Sequence, residues 1–250
     1  GPLSHDADDD DPSMTADGLE VFFDTIRSGN PDIWVSKRNS VNDPWGMPTS
    51  VDELNSLDTE SNQTVSPDGL TMYIPSNRDD PLAPSLIYRA TRLSRSSAWS
   101  MPMLDDELNQ RNLSEVGSIT ENGLMLVGSL CANNTCDLVI LERATTSSPW
   151  GAPQPIAEIN TADTESEAWL HPQGTAIFFE SNRPGAMGGW DLMFSLRASI
   201  AEPFDPPEFI AELASMQSEG DANLLPNLRY ILFSMPAGPN GEREIFESSR

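Results

Sequence analysis

Acidic side chains are the residues of this chain whose types and spacing could do chemistry. Nine residues before each of four regularly spaced glycines (Gly18, Gly69, Gly123 and Gly174) stand Asp9, Glu60, Ser114 and Glu165, and Glu219 holds the same place before Leu228. Glu115 adjoins the one exception, and Asp8, Asp10, Asp11, Asp58, Asp163, Glu167 and Asp221 crowd the same stretches. Such a set has three readings. It can be a run of solvated loop charges and nothing more. Gathered at a concave mouth, it can focus a negative field that draws a basic peptide or partner. It can also hold Ca2+, which takes roughly six to eight oxygens, with Asp9, Glu60, Glu165 and Glu219 as the candidate ligands. Paired carboxylates about 5–10 Å apart would also suit glycoside hydrolysis. Quasi-equivalent acids, however, do not single out one acid and one base.

Other chemistries find little support. The chain has two histidines, His5 in the acidic leader and His171 in a turn, and no Gly-x-Ser-x-Gly nucleophile motif. A His-based triad is thereby nearly excluded, and the expectation is a protein that is not an enzyme. With 14 Lys+Arg against 39 Asp+Glu, the net charge of -25 leaves no basic surface for nucleic acid or for an anionic membrane face. No apolar run approaches the roughly 18 residues needed to span a bilayer. Cys131 and Cys136 flank a four-residue hairpin loop, where opposite positions lie within disulfide range. Two free thiols, or half of a zinc site, are the alternatives.

The elements that must position these residues repeat. Thr15-Ala-Asp-Gly18, Ser66-Pro-Asp-Gly69, Thr120-Glu-Asn-Gly123 and His171-Pro-Gln-Gly174 recur with glycines 51, 54 and 51 residues apart, and Leu225-Pro-Asn-Leu228 is a degraded fifth copy 54 further on. Each precedes an apolar, β-rich run, such as Leu19-Glu-Val-Phe-Phe23, which reads as a strand after a type I′ turn. A second strand follows, opened by Asp32, Ser85, Asp137, Asp191 or Glu244, the acids serving to fix the blade. Arg38, Arg143, Arg197 and Arg250 stand six residues after the acids. Then comes an aromatic-x-x-Pro segment at Trp45, Trp99, Trp150 and Phe204, with an aliphatic (Leu54, Leu108, Ile159, Leu213) six residues past each proline in an expected outer strand. The tryptophans read as packing residues, with a carbohydrate platform as the alternative. Arg78 and Arg183 could hold a ligand carboxylate or pair with nearby acids. Four short antiparallel strands per unit, no helix, and five units of 51–54 residues predict an all-β, five-bladed β-propeller over 3–250. Gly1-Pro2 reads as the remnant of a cleaved expression tag.

Ser66-Pro-Asp-Gly69, Phe178-Phe-Glu-Ser-Asn-Arg-Pro-Gly185, Gly188-Gly-Trp-Asp-Leu192 and Trp150-Gly-Ala-Pro153 resemble the WD40-like (PD40) repeats of TolB-type propellers, and the resemblance spans nearly the whole chain. It implies a protein-binding, non-catalytic module in the periplasm or cell envelope of a bacterium, or secreted from it, and it agrees with a disulfide. A monomer is expected, with the partner at the acidic channel mouth. The fifth unit shows about three strands. Either the ring closes on a thin last blade, or residues outside this chain complete it, or a partner supplies the strand.

Overall fold

The computed structural model describes residues 2–4, 7–238 and 240–249; His5 and Arg250 lie outside the described residues. Five antiparallel sheets stand around one axis. Blade one runs, from the axis outward, Asp9–Met14, Glu20–Thr25, Asp32–Lys37 and Thr49–Ser50. Blade two has Thr64–Val65, Thr71–Ser76, Leu86–Thr91 and Met103–Leu104; blade three Glu115–Ile119, Met125–Ala132, Thr135–Glu142 and Gln154–Pro155. Blade four has Glu165–Leu170, Ala176–Ser181, Asp191–Leu196 and Glu208–Phe209. Blade five has three strands, Gly220–Leu224, Tyr230–Pro236 and Arg243–Ser249. The ring closes at five. Met14 N donates to Asn223 Oδ1 at 3.2 Å, and Trp45 Nε1 donates to Tyr230 OH at 2.9 Å, both joining blades one and five.

The turns after the inner strands differ from the expected type. Only the fourth residue has positive φ (Gly18 at 69°, Gly69 at 75°, Gly123 at 66°, Gly174 at 73°), whereas type I′ requires it at both central residues. The hairpins are therefore type I turns closed by one left-handed residue. In blade five that residue is Leu228, at φ 56°, an uncommon conformation for a branched side chain.

One latch recurs around the ring. Arg38, Arg92, Arg143 and Arg197 donate through Nε to the carbonyls of Gly18, Gly69, Gly123 and Gly174 at 2.6–2.7 Å. The same guanidiniums lie 4.0–4.4 Å from the ring centres of Trp45, Trp99, Trp150 and Phe204, a cation–π geometry. Each aromatic is buried against the preceding blade: Trp45 with Leu232, Trp99 with Phe22, Trp150 with Tyr73, Phe204 with Val127. The straps therefore glue blade to blade, and they are not a sugar platform. The outer strands are two residues long, shorter than expected. Leu54, Leu108 and Ile159 fall beyond them and are fully buried as plugs. Among the described residues two single helical turns interrupt the all-strand pattern: a 3-10 turn at Ile26–Ser28, and Asp106–Asn109, where Asp105 accepts from Leu108 N and caps it.

Cys131 and Cys136 are register partners in the blade-three hairpin and form a disulfide. Reduction is expected to cost about 2 kcal/mol or less, because the loop it closes is short. Urea midpoints with and without reductant measure that difference. Trp99→Ala is expected to cost about 3–5 kcal/mol, whereas Met101→Ala in the same strap, 81% exposed, should stay within about 0.5 kcal/mol. Equal losses in urea denaturation would mean that the strap aromatic does not join the blades.

Candidate functional site: an acid-lined propeller axis

The inner strands do not run straight. Register shifts between Asp10 and Ser13, Ser166 and Trp169, and Gly220 and Asn223 mark bulges in blades one, four and five. A bulge redirects a side chain. Here it places Asp11 (φ 49°), Glu167 (50°) and Asp221 (56°) in the left-handed region, as is Asn62 (53°) in blade two. All four stand seven residues before the turn residue Gly18, Gly174, Leu228 or Gly69, and all four line one cavity on the axis together with Gln63 and Asn223.

The side chains on the axis join across blades. Asn62 N donates to Asp11 Oδ2 at 2.9 Å, and Asn62 Nδ2 donates to Glu115 at 3.3 Å and to Glu167. Glu167 N donates to Glu115 Oε1 at 3.0 Å, and Ser166 Oγ to Glu180 at 2.8 Å. Arg243 of blade five donates to Asp10 Oδ1 and Asp221 Oδ2, each at 2.8 Å. Carboxylate oxygens of Asp10, Asp11 and Asp221 lie within 4.8 Å of one another, a spacing that could hold a cation. Arg243 also acts on Glu180, so three carboxyl groups (Asp10, Glu180, Asp221) share the neighbourhood of this guanidinium, while Asp11, Asp24, Glu115 and Glu167 act on one another and on members of that trio.

Crowding acids in a partly dry channel favours their protonated forms. Burial, then the charge of Asp221, pushes Asp10 up to about 7 despite Arg243. Burial also lifts Asp24 to about 7, Asp221 to about 6 and Glu180 to about 8. Asp11 and Glu167 are held well above the usual carboxylate range, first by burial and then by Asp24 and Glu115 respectively. Near neutral pH the ring therefore contains groups able to donate a proton beside groups able to accept one.

The acids singled out by the nine-residue spacing take different places. Asp9 is fully buried and pairs with Arg27 at 2.9 Å. Glu60 accepts from Ser56 N, Ser56 Oγ and Ser76 Oγ at 2.7–2.8 Å and pairs with Arg78. Glu165 repeats this with Thr161 N, Thr161 Oγ1, Ser181 Oγ and Arg183 at 2.8–3.0 Å. Glu219 accepts from Ser215 N and Oγ. These four tie loops within their own blades, and Arg78 and Arg183 are their partners. Glu115, accepting from Ser129 Oγ at 2.8 Å, also reaches the axis. Counting nine residues back lands on the loop clamps, and counting seven lands on the axis. The signal was present in Asp11, Asn62, Glu167 and Asp221, all polar at one repeat position, but the bulge that turns them inward leaves no trace in composition. Asp191 accepts from Met187 N at 2.6 Å and Gly188 N at 3.3 Å, a loop-fixing role, while Asp137 is exposed. His171 caps its own turn and contacts Pro226 O at 2.9 Å.

Fold and axis together define a five-bladed propeller with an acid-lined channel. Among solved structures, the chain is similar to a thermostable family-43 glycoside hydrolase (11% identity, TM-score 0.68, covering 99% of this chain and 91% of that one). It is also similar to an endo-arabinase from Bacteroides thetaiotaomicron VPI-5482 (10%, 0.60, 96% and 93%) and to a putative TolB from Agrobacterium tumefaciens (13%, 0.57, 97% and 90%). No family model and no curated protein matches the sequence. The likeness establishes the fold that TolB propellers and glycoside hydrolases share; it does not establish the PD40 repeat family.

It also corrects one expectation. The chain was expected not to be an enzyme because it lacks a nucleophile motif and a His-based triad. The same fold carries glycoside hydrolases, and glycosidic cleavage needs two carboxyl groups rather than either motif. The missing motifs therefore exclude nothing here, and that expectation is withdrawn.

Carboxyls with a raised folded-state proton affinity stabilise the fold below their ordinary range and lose that contribution as pH rises through the folded values. For Asp221, Asp10, Asp24 and Glu180 that window is about pH 6 to about 8. The melting temperature is expected to fall across it, and Asp24→Asn to flatten the fall. A melting temperature that climbs from about pH 6 to about pH 8 would refute the shared-proton description.

Proposed function

We propose that the protein is a monomeric, ligand-binding propeller of the bacterial periplasm or envelope. Its axis takes a positively charged group from a polypeptide partner, a lysine ammonium or an arginine guanidinium. The observation that carries this reading is Arg243, which bridges Asp10 and Asp221 and so displays the chemistry the ring accepts. Among the described residues, no ion pair joins Asp11, Asp24, Glu115, Glu167 or Glu180 to an arginine or lysine. An incoming cation would replace the protons that burial keeps on Asp11, Asp24, Glu167 and Glu180. The disulfide supports an oxidising compartment, and among the described residues no helix is long and apolar enough to cross a membrane.

A lysine/arginine-rich peptide titrated by calorimetry at about pH 7 should bind with proton release, seen as a heat that depends on the buffer. Asp11→Asn with Glu167→Gln should weaken it at least about tenfold, a change of about 1.4 kcal/mol. Absence of binding, or affinity untouched by the pair, sinks the reading. A thermal shift with Ca2+ alone would assign the ring to a metal instead, at Asp10, Asp11 and Asp221.

A second reading, glycoside hydrolysis, is favoured by a separate observation. Glu180 keeps its proton up to about 8 while Asp221 loses its own near 6, so an acid and a base coexist at neutral pH. Turnover of a chromogenic sugar panel, lost in Glu180→Gln and in Asp221→Asn, would favour it over binding alone.

A further inference from the structure

Three blades neutralise a fully buried acid with an arginine, and blade five keeps the acid without the arginine. Asp9 pairs with Arg27 at 2.9 Å, Glu60 with Arg78 at 3.2 Å and Glu165 with Arg183 at 3.0 Å. Each arginine stands two residues past Thr25, Ser76 or Ser181. Blade three lacks both partners together. Ser114 stands at the acid position and Cys131 two residues past Ser129, and Cys131 N donates to Ser114 Oγ at 3.0 Å. In blade five Glu219 is fully buried, but Pro236 stands two residues past Ser234. Arg78 and Arg183 donate through Nε to Ser76 Oγ and Ser181 Oγ, at 3.3 and 3.0 Å, and Arg243 does the same to Ser234 Oγ at 3.1 Å. Arg243, however, carries its charge to Asp10 and Asp221, and Ser234 Oγ donates to Asp221 rather than to Glu219. Among the described residues no arginine or lysine pairs with Glu219, whose carboxylate accepts from Ser215 N and Oγ.

A second carboxylate stands beside it. Glu219 N donates to Trp190 O at 3.0 Å, and Trp190 N donates to Ser218 Oγ at 3.3 Å, so the blade-four loop before Asp191 lies against the segment leading into blade five. Gly188 permits this approach, because a Cβ there would fall 1.7 Å from Gln217 O. Asp191 is fully buried as well. Its Oδ2 accepts from Met187 N and Gly188 N, whereas its Oδ1 accepts no hydrogen bond among the described residues. The charge of Asp191 is felt at Glu219, whose carboxyl burial already pushes up. Two buried carboxylates that share no cation are costly. The groups that frame them are oxygens: Ser215 Oγ, Ser218 Oγ and the carbonyls of Trp190 and Gln217. A set of carboxylate, hydroxyl and carbonyl oxygens suits a hard divalent cation, and Ca2+ takes roughly six to eight of them in flexible geometry. Full burial admits an ion more readily than a side chain from another protein.

We propose that Asp191 and Glu219 are ligands of a Ca2+ ion at the junction of blades four and five. Asp191 Oδ1 and the Glu219 carboxylate bind it, and the ion takes the part that Arg27, Arg78 and Arg183 play in their own blades. It ties the blade-four loop to blade five at the clamp whose arginine has gone to the axis. This pocket is separate from the axis acids, and neither reading depends on the other.

The test is terbium luminescence, with Tb3+ standing in for Ca2+ and Trp190, next to Asp191, as the excited donor. Saturable emission that Ca2+ displaces is expected from the 250-residue protein. Glu219→Gln should weaken Tb3+ binding at least about tenfold, as should Asp191→Asn, which serves alone if the first variant melts early. Asp11→Asn, on the axis, should leave the affinity unchanged, and Trp190→Phe should dim the emission at unchanged affinity. Ca2+ should also raise the melting temperature of the unaltered protein and of Asp11→Asn, but not of Glu219→Gln; that contrast tells an ion held here from one held by Asp10, Asp11 and Asp221. Lack of saturable emission and of any Ca2+ effect on melting overturns the proposal. So does a response that survives in both Glu219→Gln and Asp191→Asn, and so does one that Asp11→Asn removes, which places the ion on the axis.

Discussion

The structure depends on one repeated contact, a guanidinium clasped between a turn carbonyl and an aromatic face. Arg38, Arg92, Arg143 and Arg197 each connect the hairpin next to the axis with the strap at the rim. Because each strap aromatic lies on the preceding blade, the contact acts twice, inside one sheet and between two. A planar guanidinium can donate in its plane and stack on its face at once, which an ammonium cannot. That explains why the repeat carries arginine rather than lysine at these four positions.

With the rim latched, the axis can tolerate charge. Inner strands of regular pleat would send the side chains of Asp11, Glu167 and Asp221 along the sheet faces. The bulges turn them to the centre at the cost of a left-handed backbone, which Asp and Asn bear more easily than Glu. The like charges that result are settled by shared protons, by the cross-blade bonds of Asn62 and by Arg243. A scaffold held less firmly would relieve the repulsion by spreading its blades. The axis is thus a place where local preference and global fold disagree, and such disagreements cluster at working sites.

Blade number, strand order and the strap aromatics were legible because each rests on a spacing that recurs four or five times. The resemblance to TolB-type repeats pointed to the same propeller. Three things were not legible. Arg92 belongs to the latch but lies beyond the strand-opening acid series that revealed Arg38, because blade two has Ser85 where others carry an acid. The turn type depended on the φ of Asp17 and Asp68, which dipeptide identity does not decide. The acid ring was placed two residues away from the axis, because Glu60 and Glu165 share the spacing of Asp9 and differ from Asp11 and Glu167 only through the bulge between them. Periodicity finds equivalent positions readily, but it does not say which way a kinked strand turns them.

The latches also set how the molecule looks from a distance. The chain carries 14 basic residues, and most of its arginines face inward: onto turn carbonyls and rings, against loop carboxylates, or onto the axis. The acids on the outer loops keep few counter-charges beside them. The exterior therefore behaves as a polyanion with a cationic skeleton, and its own copies repel one another once their surfaces come within roughly 10 Å at 0.1 M salt. Crowding such a molecule should raise osmotic pressure before it raises turbidity, and the mobile cations around it form a cloud that any close neighbour must first displace.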